Sequence, residues 1–152
     1  MAAVTAPLVK TLDVPAPPEH AFAVFVDELA AWWPLGAFSV GGETSTAAFE
    51  RDADGRAVRL VETLADGTTA DWGRVTRWDP PHAVAFTWHP GERADAATDV
   101  EVTFSPAGEG SDVVLTHSGW SARHDGAGAR ARYDDGWDLV LAPFAERAGA
   151  SR

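Results

Sequence analysis

Cysteine is absent from the 152 residues. That excludes a disulfide framework, a thiolate metal site and a cysteine nucleophile, and it suits a reducing compartment. Basic residues are scarce: 12 Lys and Arg against 23 Asp and Glu leave a formal charge of -11. A chain so acidic is a poor match for nucleic-acid phosphates or an anionic membrane surface. No stretch approaches the roughly 18 consecutive apolar residues of a membrane span. Met1–Pro7 carries neither the positive start nor the apolar run of a signal peptide. The expectation is a soluble, cytoplasmic protein. Methionine and tyrosine occur once each, whereas tryptophan occurs seven times. So many large rings point to a core wrapped around something, or to an interface.

The length suits one domain, read as residues 1–152 with a core of about 8–148. Leu8 to Val14 reads as a strand closed by Pro15, Pro17 and Pro18. A helix starts near Pro18, with Phe22, Phe25, Val26 and Leu29 as its buried stripe. Trp32-Trp33-Pro34 ends this helical region, and Gly41-Gly42 marks a turn. Strands follow over Thr46–Arg51, Ala57–Leu64, Ala70–Asp79 with a Pro80-Pro81 corner, and His82–His89. Pro90 to Ala97 is loop-like; Val100, Val102 and Phe104 alternate, and Asp112–Gly119 places Val113, Leu115 and His117 on one face. From about Ala129 to Ala148, Tyr133, Trp137, Leu141 and Phe144 follow helical spacing, with Gly136 and Pro143 as flaws in the pattern. Consecutive strands at short spacing imply an antiparallel meander, whose apolar face the long helix is available to cover.

Four segments in order carry a family resemblance. They are Trp72-Gly-Arg-Val-Thr-Arg-Trp-Asp-Pro-Pro-His-Ala-Val-Ala-Phe-Thr-Trp88, then Thr98-Asp-Val-Glu-Val-Thr-Phe104, then Ser111-Asp-Val-Val-Leu-Thr-His-Ser-Gly-Trp120, and finally Gly136-Trp137. The chain resembles the homologues of the heat-shock-protein-90 ATPase activator C-terminal domain, within the START-like, or SRPBCC, superfamily. The resemblance implies an α+β helix-grip fold: a curved antiparallel sheet of about seven strands wrapped around a long C-terminal helix, with short helices after the first strand. The superfamily includes lipid and sterol carriers, hormone receptors, polyketide cyclases and a chaperone activator. The eukaryotic activators resemble this chain only in their C-terminal half, so chaperone activation ranks below ligand binding as an expectation.

A cavity between sheet and helix is the expected site for an apolar ligand. Phe22, Phe25, Trp33, Trp72, Trp88, Val102, Leu115, His117, Tyr133, Trp137 and Leu141 are the candidate lining. Tyr133 offers a hydroxyl to a ligand's polar atom. His117 either bonds a ligand or acts as acid or base, or is a core histidine tied to a backbone group or to Trp137. His89, of opposite parity to Phe86 and Trp88, faces water if those two face the core. Glu50, Glu62 and Glu101 read as solvent-facing; Glu62 shares parity with Leu60 and Leu64, and if buried it is expected to have a raised pKa. Arg74 and Arg77 fall on opposite faces of one strand, so that either one turns inward as a carboxylate clamp or both form surface pairs.

No helical zinc spacing or nucleophile elbow is present: His117, His124 and Asp125 meet only if their loop folds back, and Ser118 and Ser121 lack the context of a nucleophile. No glycine-rich phosphate loop is present, so neither metal nor cofactor is indicated. The leading expectation is non-catalytic binding of a small apolar or aromatic molecule. A protein-interaction module and a cyclase- or hydratase-like enzyme using a buried His or carboxylate are the alternatives.

Overall fold

The computed structural model describes residues 6–150. The first five residues of the segment read above for a signal peptide therefore lie outside the described residues. Strand β1 (Leu8–Val14) is followed by helices α1 (Pro18–Asp27) and α2 (Leu29–Trp32). Strands β2 (Thr46–Arg51), β3 (Ala57–Thr63), β4 (Thr69–Asp79), β5 (Ala83–Trp88), β6 (Thr98–Ala107) and β7 (Gly110–Ser118) lead to helix α3 (Gly126–Ala150). The seven strands form one antiparallel sheet in the order β1-β7-β6-β5-β4-β3-β2. The sequence-adjacent strands pair through short turns, and β1 closes the far edge by pairing with β7, Leu8 opposite His117. This is the curved sheet and long C-terminal helix expected from the resemblance.

Local chemistry accounts for the element ends. Pro18 opens α1, where its missing N–H costs nothing. The Trp32 indole N–H donates to the Val24 carbonyl at 2.9 Å, tying α2 back onto α1. Helix α3 begins three residues earlier than its apolar periodicity suggests, at Gly126, and runs through Gly136 and Pro143 without a break. Its buried stripe is Ala129, Trp137, Val140, Leu141, Phe144 and Ala148. Packing along that stripe holds the helix across the backbone bond that Pro143 removes. The Pro80–Pro81 peptide is cis and forms the corner between β4 and β5.

Strand β4 carries irregularities in its pairing on both sides, with β3 near Leu60/Val61 and with β5 between Val75 and Arg77. An extra residue in a strand resets which face the following side chains take. Arg74 and Arg77 are both exposed as a result, and simple alternation across this strand is corrected accordingly.

The core has two aromatic ends. In one, Phe22, Phe25, Phe104 and Phe144 meet at ring separations of 5.2–5.9 Å. In the other, Trp33 contacts Trp72, Trp88 and Trp137 at 5.1, 5.7 and 6.0 Å. Rings at such separations, edge to face or tilted, pack favourably.

Candidate functional site

The tryptophan end of the core is open to a cavity of about 410 Å³. Helix α3 supplies Tyr133, Gly136, Trp137 and Val140 to it, and the loop after α2 supplies Trp33, Phe38, Ser39 and Val40. Trp88 and the Pro90–Gly91 turn close the side at the end of β5, while Glu92, Arg123 and Arg132 stand among the lining. Several hundred Å³, mostly apolar with a few polar groups, is the usual character of a small-molecule site.

The indole N–H groups in this wall are already bonded. Trp33 donates to the Phe38 carbonyl at 2.8 Å, Trp88 to the Tyr133 hydroxyl oxygen at 3.0 Å, and Trp137 to His117 Nδ1 at 3.0 Å. A ligand therefore meets ring faces and edges from the three tryptophans. Tyr133 accepts the Trp88 proton and keeps its own O–H to donate. Burial pushes its pKa up, against the opposing effects of the Trp88 bond and the nearby arginines, so the hydroxyl stays protonated at neutral pH.

His117 is fully buried and its ring nitrogens are both engaged. The indole can only donate, so Nδ1 is the acceptor; Nε2 carries the hydrogen and gives it to Thr98 Oγ1 at 2.6 Å. Thr98 in turn donates to the Trp88 carbonyl at 3.3 Å. Burial, reinforced by the charge of Arg123, lowers the His117 pKa from 6.5 to about 3. A proton on Nδ1 would face the indole N–H donor to donor, so the ring is a neutral strut behind Trp137. His117 is also not among the residues that line the cavity.

Glu62 is also fully buried, against the solvent-facing reading. Oε1 accepts from the Val40 N–H at 2.8 Å and the Trp72 indole at 3.0 Å; Oε2 accepts from the Gly41 N–H at 2.7 Å and the Ser45 hydroxyl at 2.6 Å. Burial alone would raise its pKa, but these four donors outweigh it and the pKa lies below the ordinary 4.5. The raised pKa expected for a buried Glu62 is thereby corrected. The carboxylate pins the loop that covers one side of the cavity. Gly41 packs tightly here: a Cβ would lie 3.0–3.1 Å from Leu64, Glu62 and Ser45, and these side chains would have to shift. His89 is buried as well, not water-facing, and its Nδ1 has no protein partner.

At the lip, Arg123 places Nε and Nη2 on the Asp125 carboxylate at 2.8 and 3.0 Å, and Nη2 also lies 3.4 Å from Glu92. Arg132 Nη2 reaches Asp125 at 3.0 Å. The two guanidinium groups hold the Asp125 pKa well below the usual carboxylate range. Neither arginine was legible as a site residue: Arg123 comes from the β7–α3 connection, and Arg132 from a largely exposed turn of α3. Of the arginines singled out from sequence, Arg77 pairs with Glu101 and Asp79 on the surface.

Of the candidate lining, Trp33, Trp88, Tyr133 and Trp137 come together around the cavity. Trp72, Val102, Leu115 and His117 lie buried behind this wall, and Phe22, Phe25 and Leu141 belong to the core, outside the cavity lining. Among the described residues, no group of three or more His, Asp or Glu side chains could hold a metal ion, and no helix is long and apolar enough to cross a membrane.

The family model for activator of Hsp90 ATPase homolog 1-like proteins matches residues 15–149. The chain belongs to this family. Solved structures similar to this family member include protein MLL2253 from Mesorhizobium loti, 18% identical over 93% of this chain and 95% of that one, with a TM-score of 0.68. The AHSA1-like protein from Aeromonas hydrophila is 18% identical over 96% and 94%, with a TM-score of 0.64. Txn09, an anthrahydroquino-γ-pyrone synthase, is 34% identical over 92% of this chain and 95% of its own, with a TM-score of 0.60. No curated protein matches the chain.

Proposed function

We propose that this family member, folded as a single domain in the cytoplasm, binds a flat and largely aromatic small molecule in the cavity between the sheet and α3. One observation carries the reading: Trp33, Trp88 and Trp137 line about 410 Å³ while their N–H groups are bonded internally, so these rings offer stacking surface. Likeness to Txn09 at 34% identity supports a fused-ring ligand. It also favours a second reading, in which the bound aromatic undergoes ring closure. His117 is closed off from such chemistry, so Tyr133, Glu92, Arg123 and Arg132 are the polar groups it would use.

A protein-docking role has less support. The large apolar side chains exposed among the described residues are Val9, Val40, Val58 and Leu139, which stand on β1, the loop after α2, β3 and α3. Single apolar residues of this kind do not make a docking patch.

The test is titration of tryptophan fluorescence with anthraquinone-2-carboxamide, paired with native mass spectrometry of the purified protein. Saturable quenching at micromolar concentration with one bound molecule is the expected outcome. Unresponsive tryptophans and no bound mass would reject the reading. For the second reading, turnover of a polyketide-like hydroxyaromatic that disappears in Tyr133→Phe, with binding retained, is the result to look for.

A further inference from the structure

We infer that the ligand of this cavity carries an anionic oxygen, a carboxylate or phenolate, at the end that lies against Tyr133, Arg123 and Arg132. The inference rests on the aromatic pocket proposed above and adds the charge of its occupant. The chain as a whole carries -11, yet the cavity lining includes two guanidinium groups against a single carboxylate, Glu92.

Those guanidinium groups are positioned before any ligand arrives. Asp125 sits behind them, engaging Arg123 through Nε and Nη2 and Arg132 through Nη2. Among the described residues that leaves Nη1 of each without a protein acceptor, on side chains that line the cavity. Arg123 is held firmly, with its side chain 9% exposed. One Asp125 carboxylate thus answers two guanidinium groups, and Glu92 approaches Arg123 only at 3.4 Å, a long contact. Tyr133 adds a third donor of the same sense, since its oxygen is already used by Trp88 and its proton is not. Three donors within one lining, beside three aromatic walls, match a planar ring system that ends in a negatively charged acceptor. A neutral amide or ester of equal size would make weaker hydrogen bonds there, because it lacks the negative charge that pairs with the guanidinium groups and strengthens the bond from Tyr133.

The experiment compares anthraquinone-2-carboxylate with anthraquinone-2-carboxamide by tryptophan quenching on the full chain. The carboxylate is expected to bind about tenfold more tightly. Arg132→Gln, on a side chain 65% exposed and therefore safe for folding, should remove most of that preference by weakening the carboxylate more than the carboxamide. On the unaltered protein, raising NaCl from about 0.05 to about 0.5 M should shrink the preference in parallel. Both probes binding equally overturns the anionic assignment and leaves the aromatic pocket intact. Neither binding overturns both. A preference undiminished in Arg132→Gln and in high salt also overturns it.

Discussion

His117 and Glu62 are both titratable and both fully buried, yet they are held in opposite ionisation states. The difference lies in what surrounds each: Glu62 receives four donors, whereas His117 has one donor and one acceptor and no room for a second proton. Glu62→Gln puts an NH₂ group where an oxygen met two donors, and a loss of about 2–4 kcal/mol in urea unfolding is expected. The pH dependence follows in sign from both groups. The unfolded chain protonates His117 below about 6.5 and the folded one only near 3, so unfolding takes up a proton between those values. Stability therefore falls as pH drops from 6.5, by up to about 1.4 kcal/mol per unit. Glu62, with its pKa below 4.5, adds a further loss as pH falls under that value. Urea unfolding at a series of pH values from about 7 to 4 should show this slope, and His117→Gln, which cannot titrate, should flatten it. An unchanged slope in the variant would mean that other groups set the acid sensitivity.

Alternation and helical spacing made the strands and helices legible, because each buries one face and the apolar residues recur with that face. Val100, Val102 and Phe104 on β6 and Trp137, Leu141 and Phe144 on α3 are all buried as that pattern requires. Parity assigns a face, however, and says nothing of depth along the groove. Trp137 and Leu141 share one stripe of α3, yet only Trp137 lines the cavity; the same limit separates Trp88 from Phe86 on β5. The bulges of β4 defeated alternation for Arg74 and Arg77. The loop after α2 has no periodicity, so its contribution of Phe38, Ser39 and Val40 to the cavity had no signal in sequence, and neither did the polar cage that binds it to Glu62. Helix α3 owes its place to the closed end of the core. Phe144 is fully buried and packs 5.3 Å from both Phe25 and Trp32. Phe144→Ala should cost about 3–5 kcal/mol in urea unfolding through lost burial and a cavity the neighbours cannot fill. A cost below 1 kcal/mol would show that α3 is held chiefly by its tryptophan end.

Stability and binding pull apart at Gly136. A glycine inside a helix costs about 1 kcal/mol relative to alanine, so its place in the middle of α3 works against the fold. The site it lines explains what the missing side chain provides. A Cβ there would meet Phe38 Cε1 at 3.6 Å, an ordinary contact, so alanine fits without strain, whereas a longer side chain extends into the cavity. Gly136→Ala is therefore expected to raise the melting temperature by a few degrees. Gly136→Leu should retain most of that helical gain while occupying space a ring system needs. Ligand linkage supplies the readout: a molecule present at 100 times its Kd stabilises the folded state by about 2.7 kcal/mol, which should add several degrees to the melting temperature. In thermal unfolding with anthraquinone-2-carboxylate, the unaltered protein and Gly136→Ala should both show that increment. Gly136→Leu should melt at least as high without ligand and gain nothing from it. If Gly136→Leu still gains the full increment, the ligand lies away from the α3 wall, and the stacking site must be sought elsewhere around the tryptophans.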